Sequence, residues 1–124
     1  MKYLLDVNAL IACEHRGSPH HATFHAWAKR EGMGSLATCG LVELGFIRVS
    51  MQVFGYSLTD AQAALSALKP RLGGYVADTP SPLLPAWAST AAKTSDAYLM
   101  QVAEKHSLSL ATFDSGIPKA VQIR

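Results

Sequence analysis

The chain has 124 residues, of which 49% are hydrophobic and 16% charged, and its formal net charge is +2 at neutral pH. This length predicts one domain, 1–124, with its own hydrophobic core, and the hydrophobic content excludes a largely disordered chain. The charged fraction lies below the roughly 25% usual for soluble domains. We therefore expect another protein chain to cover part of the apolar surface. The basic residues are scattered, so the charge permits a polyanionic partner without requiring one.

The cysteines and the N-terminal segment indicate the compartment. Neither Cys13 nor Cys39 belongs to a CxxC pair or stands at zinc-ligand spacing, which predicts buried thiols rather than a disulfide or a zinc site. Asp6 and Asn8 interrupt the first apolar run before it reaches the length of a signal peptide. No segment approaches the roughly 18 apolar residues of a membrane span. We expect a cytoplasmic protein without membrane contact.

Short apolar runs alternate with helical patterns along the chain. Because strands that alternate with helices form βα units, the pattern predicts an α/β fold, a three-layer α/β/α sandwich with a mostly parallel central sheet. In chain order, the predicted elements are a strand at Tyr3–Leu5, a helix that starts within Ala9–Cys13, a helix at His20–Glu31, a strand at Ser35–Thr38, helices at Leu41–Phe54 and Asp60–Leu68, a strand at Tyr75–Ala77, a proline-rich loop from Pro80 to Trp87, a helix at Asp96–His106, and strands at Leu108–Thr112 and Val121–Ile123.

Three helix starts carry capping signals. Ser18 followed by Pro19 is typical of an N-cap and first helical residue. Thr59 and Gln62 have the spacing of a capping box. Thr94 or Ser95 is predicted to cap the helix that starts at Asp96.

Four acids stand where parallel α/β sheets place their functional sites, beyond the carboxyl ends of strands and at the helix starts that follow. Asp6 follows the first strand, Glu43 opens the helix after the second, Asp96 opens a later helix, and Asp114 follows the Leu108–Thr112 strand. Each acid alone is commonly a turn former or a helix-start residue. Their expected convergence on one edge of the sheet favours a functional cluster.

Four neighbouring carboxylates repel one another, so a cation is needed to hold them together. Oxygen ligands without His or Cys favour Mg²⁺, or Mn²⁺ in its place. These ions support phosphodiester hydrolysis by a metal-activated water, which attacks in line and leaves a 5′-phosphate and a 3′-hydroxyl. We expect Asn8, Ser95 and Thr112 to orient the acids.

The four acidic motifs resemble those of PIN-domain ribonucleases, and among these the VapC-type toxins of bacterial toxin–antitoxin pairs. The resemblance spans nearly the whole chain and implies a Mg²⁺-dependent endoribonuclease that forms a homodimer and is inhibited by a cognate antitoxin. It also implies that Asp6, Glu43, Asp96 and Asp114 bind the metal. Many relatives carry a further acid or Asn after the last motif, where this chain has Ser115-Gly116-Ile117. The motifs are Leu4-Leu5-Asp6-Val7-Asn8, Leu41-Val42-Glu43-Leu44-Gly45-Phe46-Ile47-Arg48, Thr94-Ser95-Asp96-Ala97-Tyr98-Leu99 and Leu110-Ala111-Thr112-Phe113-Asp114.

Two further features bear on partners. Arg48 and Lys93 lie near acids in the sequence and are candidate contacts for RNA phosphates, although solvated surface charges remain an equal alternative. One broad side of the Leu41–Phe54 helix carries Leu41, Leu44 and Met51. This side, together with the low surface charge, predicts a homodimer.

Other functions remain open from sequence alone. His21 and His25 share a helical face next to His20, which is the pattern of a transition-metal site that still needs further ligands. A receiver-type phospho-signalling domain would need a phosphorylatable mid-chain acid, for which Asp60 and Asp78 are poorly placed. A scaffold that binds RNA or protein without cutting need not retain all four acids.

Overall fold

A five-stranded parallel sheet forms the centre of the structure, a computed structural model in which residues 1–77 and 79–124 are described. The spatial order is β3-β2-β1-β4-β5, and every neighbouring pair is parallel. In register, Leu4 on the central strand lies opposite Ala37 on one side and Leu110 on the other. The predicted α/β class is confirmed. The strands are β1 (Tyr3–Leu5), β2 (Leu36–Cys39), β3 (Gly74–Val76), β4 (Ser109–Thr112) and β5 (Val121–Gln122).

Helices connect the first four strands, whereas residues 113–120 lead from β4 to β5 without an α-helix. The chain moves from β1 through β2 to β3 in one direction and then returns to β4. Right-handed crossovers therefore put the last helix on the opposite face of the sheet from the first four. In agreement, α1 packs against α2 and α3, α3 packs against α4, and α5 packs against β1 and β4. The α-helices are α1 (Val7–Glu14), α2 (His21–Glu31), α3 (Gly40–Gln52), α4 (Leu58–Leu68) and α5 (Ala91–Lys105), and short 3₁₀ turns span Met33–Ser35 and Lys69–Arg71.

The core lies on both faces of the sheet. Every residue of β1 and β2 is buried, as expected of parallel strands that helices cover on both sides. Leu10, Phe24 and Phe46 are fully buried and fill the space between the sheet and the helices. Cys13 and Cys39 are free and buried, as predicted. None of the helices in the described ranges is long and apolar enough to cross a bilayer.

The capping predictions for α2 and α4 are wrong in detail. Helix α2 starts at His21, and the Ser18 hydroxyl accepts from the His20 N–H at 3.2 Å within the preceding turn instead of capping the helix. Ser57 caps α4 by accepting from the Asp60 N–H at 3.0 Å, so the predicted Thr59 box does not form. In both places, another nearby polar group or turn satisfies the first helical N–H groups.

Helix α5 starts at Ala91, five residues before the predicted start at Asp96. Alanines have the highest helix propensity, and Ala91 and Ala92 extend the helix toward the N-terminus. The Thr94 hydroxyl donates to the Ala91 carbonyl at 2.7 Å and caps nothing. Asp96 therefore lies in the second turn of α5, where a helix-start role does not explain it.

Candidate active site

The site lies where β1 and β4 end side by side. The connection that leaves β1 runs toward β2, whereas β4 lies on the other side of β1. Such a switch point opens a crevice beyond the carboxyl ends of the strands. Asp6 follows β1 directly, and its N–H donates to the Ala111 carbonyl of β4 at 3.2 Å. The first acid is thereby fixed to the edge of both strands.

Asp6 has a structural role as well as a position in the crevice. Its Oδ1 accepts from the Ala9 N–H at 2.8 Å and caps helix α1. Its Oδ2 accepts from the Thr112 hydroxyl at 2.5 Å. Only 5% of the Asp6 surface is exposed. Thr112, which the sequence predicts to orient an acid, thus contacts Asp6 directly.

A cavity of about 140 Å³ opens beside Asp6. Gly45 of α3 lies against Val7 of α1 at one wall, so closely that a Cβ at position 45 would stand 2.5 Å from Val7 Cγ2. The absence of a side chain at Gly45 therefore sets the approach of α1 and α3 at the site. The lining combines polar and apolar residues, namely Asp6, Val7, Asn8, Leu41, Leu44, Gly45, Arg48, Ser95, Asp96 and Leu99.

Three of the four acids interact electrostatically. Burial is the main cause of a raised pKa at Asp6. The bonds from Thr112 and Ala9 oppose this rise, and the charges of Asp96 and Asp114 add to it. The pKa of Asp96 is raised by burial and by the charge of Asp114. Asp114 itself is exposed, and its Oδ1 accepts from the Gly116 N–H at 2.7 Å. Negative charge therefore accumulates at this edge of the sheet.

Glu43, the fourth acid, stands apart from the other three. Its Oε2 accepts from the Thr38 hydroxyl at 2.5 Å, and its Oε1 lies 3.1 Å from Lys69 Nζ. Glu43 does not line the cavity beside Asp6, and its charge does not contribute to the raised pKa of Asp6 or Asp96. The structure places Asp6 and Asp96 at one cavity with the charge of Asp114 acting on both, and it pairs the fourth acid, Glu43, with partners of its own.

The donor set fits Mg²⁺ without enclosing it. Over residues 1–77 and 79–124, no group of three or more His, Cys, Asp or Glu side chains is arranged to hold an ion. Mg²⁺ usually retains several waters and needs only one or two carboxylates from the protein. Asp6 and Asp96 face one cavity, and each offers oxygen atoms of the hard type that this ion prefers.

The histidine cluster does not form a rival centre. His21 Nδ1 lies 2.8 Å from the Ala12 carbonyl, and His25 Nε2 lies 2.8 Å from the Cys13 carbonyl. The ring of His20 instead stacks on Phe113 at a centroid distance of 4.3 Å. No third ligand completes a transition-metal site within the described part of the chain.

The structure gives different positions to the remaining candidate residues, which are two basic residues and two mid-chain acids. Arg48 lines the cavity, whereas Lys93 is exposed in the first turn of α5 and lies outside the lining. Asp60 lies in the first turn of α4 rather than after a strand, which does not favour a receiver-type phosphorylation site. Asp78 lies outside the described residues.

Sequence reasoning missed the partners of Glu43. Thr38 precedes the acid on β2 and is buried, but Lys69 belongs to the segment after α4. No local pattern links Lys69 with Glu43, because only the packing of α4 on α3 brings them together. The apolar residues Leu41 and Leu44 also line the cavity, although the sequence predicted an interface for them.

Comparison with known proteins agrees with this fold. A family model described as PIN domain matches residues 3–122. Ribonuclease VapC38 of Mycobacterium tuberculosis (strain ATCC 25618 / H37Rv) is 32% identical, with 98% of this chain and 91% of the relative covered. Ribonuclease VapC39 of the same species, in strains CDC 1551 / Oshkosh and ATCC 25618 / H37Rv, is 30% identical over 94% of this chain and 91% of the relative.

The all-parallel sheet with acids at its switch point defines an α/β protein with a candidate site at the carboxyl ends of its strands. The chain belongs to the PIN domain family. The resemblance to PIN-domain ribonucleases of the VapC type, predicted from the four motifs, is confirmed by these matches.

Proposed function

We propose that this protein is a Mg²⁺-dependent endoribonuclease, the toxin of a bacterial type II toxin–antitoxin pair. One observation carries the proposal. Asp6 and Asp96 share a cavity at the end of the central strand, and the charge of Asp114 reaches both of them. Such an accumulation of negative charge suits a divalent cation. The ribonuclease names of the relatives support RNA as the substrate.

The acids of the site would bind the ion, and neighbouring groups fix their side chains. Asp6, Asp96 and Asp114 would hold the ion, with Glu43, which is paired with Lys69, as the fourth acid of the motifs and with Mn²⁺ as a substitute for Mg²⁺. When bound, the ion supplies a more acidic water and offsets negative charge on the scissile phosphate. Thr112 and the N-terminus of α1 fix the carboxylate of Asp6. These acids act as ligands and not as nucleophiles.

Neighbouring polar residues would orient the substrate and the water. Asn8 and Ser95 reach the cavity from α1 and α5 and can donate to a carboxylate or a water there. Arg48 lines the same cavity, and a guanidinium suits a phosphate of the RNA. Lys93 is exposed on α5 and would contact a phosphate farther along the strand.

Two protein partners belong to the proposal, namely a second copy of the chain in a homodimer and a cognate antitoxin. Exposed apolar side chains support such contacts, because Leu44 is 60% exposed on α3, Val53 is 68% exposed just beyond it, and Leu58 is 52% exposed at the start of α4. The buried side of α3 consists instead of Val42, Gly45, Phe46 and Ser50. We place the reaction in the cytoplasm, where RNA and reduced thiols coexist.

RNA cleavage by the purified protein tests the enzyme. We expect labelled RNA to be cut with Mg²⁺ or Mn²⁺ and to remain intact with EDTA. The Asp6→Asn variant should not cut, whereas Asp60→Asn, which changes the charge by the same amount on α4, should cut like the wild type. Absence of cleavage with either ion, or full activity with Zn²⁺ alone, would overturn the all-oxygen site.

Light scattering at micromolar concentration tests the homodimer. We expect a mass of two chains. Leu44→Lys at the exposed face should shift the mass toward one chain, because it places a charge in an apolar contact. A monomeric wild type would contradict this part of the proposal alone.

A further inference from the structure

Lys69, which follows α4 in the chain, forms an ion pair with Glu43, the acid that does not line the cavity beside Asp6. Lys69 Nζ lies 3.1 Å from Glu43 Oε1, and the Glu43 side chain is only 12% exposed. The other carboxylate oxygen accepts from the Thr38 hydroxyl at 2.5 Å. Each oxygen of Glu43 therefore has a partner that lies outside the cavity beside Asp6.

The position of Lys69 is itself supported. Its Nζ lies 4.6 Å from the centre of the Tyr75 ring, which is the geometry of a cation–π contact. Tyr75 lies over the start of α3, where a Cβ at Gly40 would stand 3.2 Å from the Tyr75 hydroxyl. A small residue at position 40 leaves room for the ring, and the ring supports the lysine.

Glu43 has a basic partner, whereas the other three acids have none in the described part of the chain. Glu43 and Lys69 form a pair whose charges cancel, so Glu43 adds little negative charge to the neighbouring acids. No lysine or arginine forms an ion pair with Asp6, Asp96 or Asp114 among the residues that the structure describes. A cation that enters the cavity therefore meets Asp6 and Asp96 without a basic partner in the described ranges, with the charge of Asp114 acting on both, whereas Glu43 is already neutralised by Lys69.

We propose that Lys69 is a positioning residue that holds Glu43 away from the metal-binding acids. In this arrangement the ion is bound through Asp6, Asp96 and Asp114, and Glu43 becomes available only when the lysine is absent or displaced. This inference rests on the proposed function, since it assumes that a divalent cation binds at the acids. Lys69 acts through Glu43 and contacts neither the ion nor the reacting atoms.

Binding of Mn²⁺ alone to the full chain tests the inference without RNA. Removal of the lysine frees Glu43 and also removes a positive charge that repels the ion. We expect Lys69→Met to bind Mn²⁺ about threefold to tenfold more tightly than the wild type by titration calorimetry. Lys69→Arg, which keeps the charge and can pair with a carboxylate, should bind like the wild type.

Two further variants separate this local effect from net charge. Lys29→Met removes an exposed lysine from the last turn of α2 and should leave Mn²⁺ affinity unchanged. Adding Glu43→Gln to Lys69→Met should return the affinity to about the wild-type value, because the freed carboxylate is then lost. Circular dichroism melting checks that each variant is folded, and Lys69→Gln replaces Lys69→Met if the latter is unfolded.

The possible outcomes are distinct. If the wild type binds Mn²⁺ and the folded Lys69→Met variant binds no more tightly, Lys69 does not restrain Glu43 and the inference is wrong. Equal tightening in Lys29→Met would also overturn it, because net charge would then be the cause. A wild type that binds no Mn²⁺ overturns the proposed metal site and the inference with it.

Discussion

Replacement of Asp6 should separate catalysis from stability, because its carboxylate both caps α1 and carries buried charge. Asp6→Asn keeps an oxygen that accepts from the Ala9 N–H, since Asn caps helices as well as Asp. It also removes a negative charge whose burial raises the pKa. We therefore expect this variant to lose RNA cleavage while its stability without metal equals or exceeds that of the wild type.

Asp6→Ala should behave differently, because it leaves both the Ala9 N–H and the Thr112 hydroxyl without any partner at position 6, whereas the Asn amide can donate to the hydroxyl after it rotates. Loss of an N-cap costs about 1 kcal/mol, and the buried Thr112 hydroxyl left without any partner at position 6 adds about another 1 kcal/mol. The Asp6→Ala variant should therefore unfold with a free energy about 2 kcal/mol below that of Asp6→Asn, or melt about 6 °C lower for a chain of this size. Both variants should be inactive.

Thermal melting with EDTA and with Mg²⁺, together with a cleavage assay, measures these effects. Mg²⁺ should stabilise the wild type more than either variant, because only a native state that binds the ion gains from mass action. If Asp6→Asn without metal melts as low as Asp6→Ala, the charge of Asp6 is satisfied in the fold, and the reasoning from an uncompensated acidic site is wrong.

Three further predictions follow from the packing and the charges. Asp96→Asn should abolish cleavage without lowering the melting temperature in EDTA, because Asp96 lies in the second turn of α5 and caps nothing; a fall of several degrees would instead indicate a structural role. Gly45→Ala should cost about 1–3 kcal/mol in urea unfolding and reduce cleavage, since its Cβ would meet Val7 at 2.5 Å, whereas Gly34→Ala, with open space around it, should change little. His15 is buried, and burial lowers its pKa in the folded protein. As the pH falls, His15 therefore becomes protonated in the unfolded chain before it does in the folded protein. The stability of the wild type should fall as the pH drops below about 6.5 and should level off below the folded-state pKa. Urea midpoints at pH 7.5 and 5.5 measure this loss, and His15→Phe should show a smaller one; an equal loss in both proteins would refute the assignment to His15.

The sequence contained most of the architecture. Short apolar runs alternating with helical patterns predicted the strands and the α/β class, because burial on both faces of a parallel sheet demands continuous apolar residues. The acids could be selected because the carboxyl ends of parallel strands meet at one edge. For Asp6 and Asp114, the position directly after a strand was sufficient to predict a place at this edge.

Helix starts were harder to predict, because several polar residues compete for the same role. Ser57 rather than Thr59 caps α4, and α5 starts at Ala91 rather than Asp96. Each of these Ser and Thr side chains can hydrogen-bond to nearby backbone groups, so the sequence alone does not show which one caps the helix. The tertiary structure selects among them according to where each helix must begin to pack.

Only the tertiary structure decided how the four acids differ. In sequence, Glu43 stands at a helix start, as Asp96 was predicted to, yet Lys69 and Thr38 neutralise and hold it. Gly45 resembles any helical glycine until Val7 lies against it. Both contacts join residues from different elements, and Coulomb attraction and steric contact act over a few ångströms of space regardless of separation along the chain. The sequence by itself predicted which acids reach the edge of the sheet, and the packing of α1, α3 and α4 determined that Glu43 is paired with Lys69 while Asp6 and Asp96 line the cavity.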